Sequence, residues 1–185
     1  MTSWVSRAAP IAIAIALGTA AQGALAQSAH VKRGLYLVTI SGCNDCHTPG
    51  SFFGKRDVSR TLAGSDVGFA IPGMGVFVGP NLTPDKETGL VSWTNEQIVT
   101  ALRTGYRPDG RVLAPIMPYN DFANLTKDDA LAIAAYLKSL PAISNKVPGP
   151  FGPSDKPNVF VMTVLPAAVY NSLPPPPPPG APSSK

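Results

Sequence analysis

At 185 residues, the chain sets 15 Lys and Arg against 11 Asp and Glu, a formal charge of only +4. With no run of like charge, that balance argues against nucleic acid as the main partner. The length suits one domain and is short for two.

The first residues read as a secretory signal peptide over 1–26. Arg7 supplies the positive end, Ile11 to Leu17 centre an apolar run, and Ala24-Leu25-Ala26 forms a cleavage site that leaves Gln27 first. The apolar run from Ala8 is about half the ~20 residues that a bilayer span needs. No later stretch is apolar enough to span, so the expected product is exported, with no transmembrane segment in the mature chain.

Residues 30–39, HVKRGLYLVT, predict a short helix whose stripe is Val31, Gly34, Leu35 and Val38. Gly34 costs helix stability there, which makes sense if another element packs closely on it. Next comes CNDCH, with both cysteines of the chain. Cys43 and Cys46 could form a disulfide, as exported proteins often do. A redox C-x-x-C belongs at a helix start after a strand, whereas here a helix precedes. A structural zinc site needs four ligands, and only His47 and the terminal His30 remain. C-x-x-C-H instead fits attachment of one c-type haem, with thioethers from Cys43 and Cys46 and His47 as the iron ligand.

Residues 48–91 are rich in Gly, Pro, Ser and Asn and show no convincing strand pair. A loop so long is unusual unless it covers or binds something. Order returns at Thr94-Asn95-Glu96-Gln97, a capping box that opens a helix ending near Gly105. In APIMPY, Pro115 and Pro118 stiffen the chain around Met117, which makes it the candidate second iron ligand. Met74 lies in a Gly-rich run and Met162 in the tail. Thr126, Asp128 and Asp129 then open the strongest helix, with Ala130, Ile133, Ala134 and Leu137 at helical spacing and Pro141 as the stop. The expected organisation is thus a leader, a domain over 27–145 and a Pro-rich tail over 146–185. Within the tail, Pro174 to Pro179 is polyproline II, and residues 159–170 are a candidate partner-docking stretch.

Together RGLYLV, CNDCHTPG, PNLTPDKETGLVSWTNEQIVTALRTGYRPDGR and MPYNDFANLTKDDALAIAAYLKSLP span residues 33 to about 141. In these stretches the chain resembles a class I cytochrome c, in particular the single-haem periplasmic cytochromes that serve proteobacterial dehydrogenases. Related modules occur in the multi-haem cytochrome subunits of alcohol and gluconate dehydrogenases. The resemblance implies an all-α fold with first and last helices crossing at Gly34 and Tyr36 against Tyr136 and Leu137. It also implies that the Pro80 carbonyl accepts from His47 Nδ1–H, and that Trp93 packs beside a haem edge or in the core. Arg103, Arg107 and Arg111 would be a solvated face, propionate partners or a docking patch. The expected function is an electron carrier, not an enzyme. It would take single electrons from a periplasmic dehydrogenase and pass them to a cytochrome or terminal oxidase of the respiratory chain. The alternatives are a permanently bound electron-transfer subunit of a dehydrogenase complex and a haem sensor or peroxidase that loses Met117.

Overall fold

A computed structural model of the chain describes residues 28–175. The expected leader and all but the first two prolines of the 174–179 run lie outside these residues. Among the described residues, no helix is long and apolar enough to cross a membrane.

Three helices make the core: α1 over residues 28–40, α3 over Asn95–Thr104 and α5 over Lys127–Ser139. Their ends are written in local side chains. The Gln97 amide donates to Thr94 Oγ1 at 3.1 Å, and the Thr94 amide donates to Gln97 Oε1 at 2.9 Å. This reciprocal pair satisfies two donors that a helix start would otherwise leave open. Gly105 then closes α3 at φ 77°, in the left-handed region that glycine favours. Thr126 caps α5 by accepting from the Asp129 amide at 3.1 Å, with Asp128 and Asp129 in the first turn.

Leu37, Val38, Ile98, Leu102, Ile133, Ala134 and Leu137 are buried together where these helices meet. Gly34 is the contact of α1 with α5. A Cβ there would run into the Ala132 carbonyl and stand 2.6 Å from Tyr136 Cβ. Two of the expected α1 contacts turn outward instead. Leu35 is 47% exposed and Tyr36 is 52% exposed, the latter with the Arg33 guanidinium 5.3 Å from its ring centre. With Gly34 fixed against α5, the inward face runs through positions 34, 37 and 38, so Leu37 takes the place given to Leu35. Arg33 also forks onto the Asp129 carboxylate at 2.8 and 3.2 Å, tying α1 to the first turn of α5.

The all-α expectation needs correction, because a small three-stranded sheet stands beside the helices. β1 (Val67–Ile71) and β2 (Gly75–Val78) form an antiparallel hairpin with Ile71 opposite Gly75. Gly73, at φ 75°, allows its three-residue turn. β3 (Phe160–Met162) adds to the other edge of β1, parallel to it, so the order is β2-β1-β3. The hairpin has no signature in the sequence, because Val-Gly-Phe-Ala-Ile and Gly-Val-Phe-Val lack the apolar–polar alternation that marks a half-buried strand. A parallel partner so far along the chain leaves no local signature.

Side-chain hydrogen bonds organise the rest of this half. Asn81 Nδ2 donates to Thr88 Oγ1 at 2.9 Å and to the Ile143 carbonyl at 2.7 Å, and its Oδ1 accepts from the Thr83 amide at 2.9 Å. Lys138 Nζ, on α5, donates to the carbonyls of Leu90, Val91 and Trp93 at 3.2, 2.7 and 2.8 Å. Beyond α5 the chain crosses this loop region, and Phe151 and Val76 exchange two backbone hydrogen bonds of 2.9 Å. Two further short helices are α4 (Tyr119–Phe122), before α5, and α6 (Ala167–Asn171), after β3.

Candidate functional site

Gly42, at φ 66°, turns the chain out of α1 into a short helix, α2 (Cys43–His47). Residues three apart on a helix share a face, so Cys43 and Cys46 project together, and both line a cavity of about 720 Å³. That volume suits a cofactor-sized ligand, within the ~300–1,000 Å³ of typical small-molecule sites. Both thiols are unpaired. Burial pushes the Cys43 thiol up to about 11, and burial followed by the nearby Asp45 charge raises Cys46 as well. A reactive redox pair needs a lowered pKa to hold a thiolate at neutral pH; these two are protonated. Among the described residues, no group of three or more His, Cys, Asp or Glu stands together as a metal site. A four-ligand zinc site is therefore not assembled around them.

His47 is buried at 6% exposure, and its Nδ1 lies 2.8 Å from the Pro80 carbonyl oxygen. A carbonyl can only accept, so Nδ1 carries the proton and Nε2 keeps its lone pair. Burial lowers the imidazole pKa, with the Pro80 bond opposing it, which keeps the ring neutral at pH 7. The residue before Pro80 makes this approach possible: a Cβ on Gly79 would strike the Cys46 carbonyl and stand 3.3 Å from His47 Nδ1. The sequence marks Gly79 only faintly, as a glycine directly before the expected partner proline.

Met117 reaches the same cavity from the other long loop. Its amide donates to the Ala114 carbonyl at 2.9 Å and its carbonyl accepts from the Tyr119 amide at 2.8 Å, so the Pro-flanked turn is pinned at both ends. The side chain packs partly buried against the core. Met74 and Met162 are 45% and 42% exposed and lie away from the cavity, and His30 sits exposed in the first turn of α1. The three arginines separate. Arg103 turns away to donate to the Ala123 carbonyl at 3.2 Å. Arg107 and Arg111 line the cavity, and both pair with Asp109, at 3.3 and 2.7 Å. Arg111, with Arg107, holds the Asp109 carboxyl down to about 2. The Arg107 guanidinium also stands 5.2 Å from the Trp93 ring centre, a cation–π contact on the cavity wall. One apolar cavity thus gathers two neutral thiols, an oriented imidazole, a thioether and two guanidinium groups.

No protein-family model matches the chain. Individual proteins do. The cytochrome subunit of fructose dehydrogenase from Gluconobacter japonicus is 38% identical over 134 residues, which is 67% of this chain. The cytochrome c subunit of quinone alcohol dehydrogenase from Gluconobacter oxydans is 36% identical over 149 residues, 78% of the chain. The chain is related to cytochrome c subunits of dehydrogenases. A diheme cytochrome c-type protein of Cereibacter sphaeroides is 40% identical over 117 residues, 60% of the chain. This cytochrome relative spans 26%, 29% and 36% of the lengths of those three proteins, so it corresponds to one part of each.

Proposed function

We infer that the chain is a c-type cytochrome that carries one covalently held haem and passes single electrons. The observation that carries this reading is the seating of His47. A buried ring, oriented by Pro80 with Nε2 left bare, stands one residue after a C-x-x-C pair on the wall of a cavity that Met117 also lines. A haem fits these residues. The thiols of Cys43 and Cys46 are placed on one face for thioether bonds, and the remaining wall is mainly apolar. Bound there, a haem supplies an iron that gains and loses one electron.

The protein's part is to hold, orient and tune. His47 would hold the iron through Nε2, while the Pro80 carbonyl keeps the proton on Nδ1 and makes the ring a stronger donor. Met117 offers its thioether as the second donor, a pairing that raises the potential. With His47 and Met117 both holding the iron, the role would be electron transfer, not transformation of a substrate. Arg107 and Arg111 are the cationic groups available to acidic substituents or to a partner at the cavity. The electron donor in this reading is a periplasmic dehydrogenase and the acceptor a cytochrome or terminal oxidase, with residues 1–26 acting as the export leader.

Expression with export and haem-attachment machinery tests the reading. The full chain should keep its haem after denaturation, and Cys43→Ser with Cys46→Ser should lose it. A full chain without covalent haem overturns the proposal. Met117→Ala should open the reduced iron to carbon monoxide, and the parent protein should be inert to it.

Permanent membership in a dehydrogenase complex is the second reading, and the outer tail favours it. No charged residue stands between Lys156 and Lys185. Phe160, Val161, Met162, Val164, Val169 and Tyr170 are 42–90% exposed. A patch of this kind on a freely diffusing carrier has no evident use. Replacing Val161, Val164 and Tyr170 by Ser should abolish co-purification with the dehydrogenase; unchanged association excludes a fixed subunit held by this patch.

A further inference from the structure

Residues 142–152 touch the His47 environment from several sides, although none of them belongs to the haem-attachment motif. The Ile143 carbonyl accepts from Asn81 Nδ2 at 2.7 Å, next to Pro80. Asn145 Nδ2 donates to the Ala63 carbonyl at 2.7 Å, and the Asn145 amide donates to Thr88 Oγ1 at 3.1 Å. Val147 lies so close to Gly64 that a Cβ there would collide with its Cγ2. Gly64 is the residue whose amide donates to the His47 carbonyl at 2.9 Å. At the far end, Phe151 exchanges its two hydrogen bonds with Val76 on β2, the strand that leads into Gly79 and Pro80. Between these anchors, Val147, Pro148, Gly149 and Pro150 form part of the cavity wall beside Cys46 and His47.

The segment therefore clasps both flanks of the Val78–Asn81 stretch that delivers the Pro80 carbonyl, as well as the Ala63–Gly64 turn that holds the His47 backbone. We propose that residues 142–152 are a brace for the His47–Pro80 hydrogen bond, with Asn145 and Val147 as positioning residues for the iron ligand. The proposal rests on the haem reading above and goes beyond it by assigning the tuning of His47 to a segment distant from it in sequence.

The physical consequence is specific. A Nδ1–H bond to a carbonyl makes the imidazole a stronger donor, which favours the oxidised iron. Loosening the brace lets Pro80 withdraw, so Nδ1–H meets water more often and the potential rises. Ordinary loss of stability need not do either.

The experiment uses the full-length haem-bearing protein and reads two quantities by variant: solvent exchange of the His47 Nδ1–H proton by NMR, and the midpoint potential. Asn145→Ala should speed exchange about tenfold, the scale of losing one or two hydrogen bonds against a local opening, and should raise the potential. Val147→Ala should act in the same direction with smaller size. Thr94→Ala is the control, since it weakens the cap of α3 and leaves the brace intact; its exchange and potential should match the parent. Unchanged exchange and potential in both brace variants, with haem attached, overturn the brace. An equal change in the Thr94 control also overturns it, because general destabilisation then explains the data. Should Asn145→Ala not fold, Val147→Ala decides alone. Absence of covalent haem from the parent chain is a different failure: it removes the haem reading, and the brace with it.

Discussion

α1, α3 and α5 meet through Leu37, Ile98, Ile133 and Leu137, side chains with no polar atoms to satisfy. The half built from residues 48–91 and 142–162 meets through Asn81, Thr83, Thr88 and Asn145, side chains that answer backbone groups one by one. Apolar contact is tolerant of detail, because burial is rewarded wherever it occurs. Hydrogen-bonded loops are intolerant, because each unanswered buried group costs the full desolvation of that group. The cavity lies between the halves. Ile133 and Leu137 line it from the helical half, and Val147 and Gly79 from the looped half, which also holds His47 through Pro80 and Gly64.

Leu62 belongs to both halves at once. It sits in the loop region at φ 59°, fully buried, yet it is part of the helical core. Its amide donates to Thr48 Oγ1 and its carbonyl accepts from the Leu82 amide, at 2.9 and 2.8 Å. Leu62→Ala should give the largest loss of stability, about 2–5 kcal/mol from the removed side chain and the cavity left behind, read from the denaturant midpoint. A loss well under 1 kcal/mol would show that the halves are not joined there.

Gly34→Ala comes next. The added methyl meets backbone on α5, not the end of a flexible chain, so the helices must separate. A loss of about 1–3 kcal/mol is expected, whereas the same change on an exposed helix face would be favourable by about 1 kcal/mol. The sign of the change, measured by thermal unfolding, therefore tests the contact.

Asn81→Ala examines the looped half by itself. It leaves the Ile143 carbonyl without its Asn81 donor and the Thr83 amide without its Asn81 acceptor, and about 1–3 kcal/mol should be lost. The diagnostic is locality: hydrogen exchange should speed in residues 81–90 and 142–152, with the α5 amides nearly unchanged. Equal acceleration everywhere would mean that the two halves unfold as one unit.

The same contrast explains what could be read in advance. Thr94 with Gln97, and Thr126 with two aspartates, announce helix starts through short-range hydrogen bonds, so four adjacent letters carry the information. Cys43, Cys46 and His47 share one short helix, and Met117 is marked by its two flanking prolines. The structure gathers these four around one cavity. By contrast, Leu35 and Leu37 are both leucines on a helix whose rotation is fixed by Gly34 against Ala132, a fact of packing that no spacing shows. The hairpin lacks alternation, and β3 finds β1 from far along the chain. Asn81 and Asn145 read as ordinary loop residues, since their meaning lies in carbonyls that only the fold brings near. Local rules reach the helices and the C-x-x-C-H stretch; the looped half is specified by long-range polar partners.

The smallest expected effect is at the Arg33–Asp129 pair, the polar exception on the apolar side. The Arg33 hydrogen bonds hold the Asp129 carboxyl below its ordinary value, and the carboxylate in turn raises Arg33. A carboxyl whose pKa is lower folded than unfolded contributes stability above the unfolded value, near pH 4, and loses it as pH falls through the folded value. Arg33→Gln should therefore reduce stability at pH 7 and converge with the parent protein as the pH drops below the range where Asp129 is charged. Arg33 is exposed and Asp129 partly so, and added salt should therefore shrink the difference at pH 7. The convergence at low pH and the salt sensitivity must appear together. A gap that persists in acid and in high salt would mean that Arg33 works through its guanidinium over the Tyr36 ring rather than through Asp129.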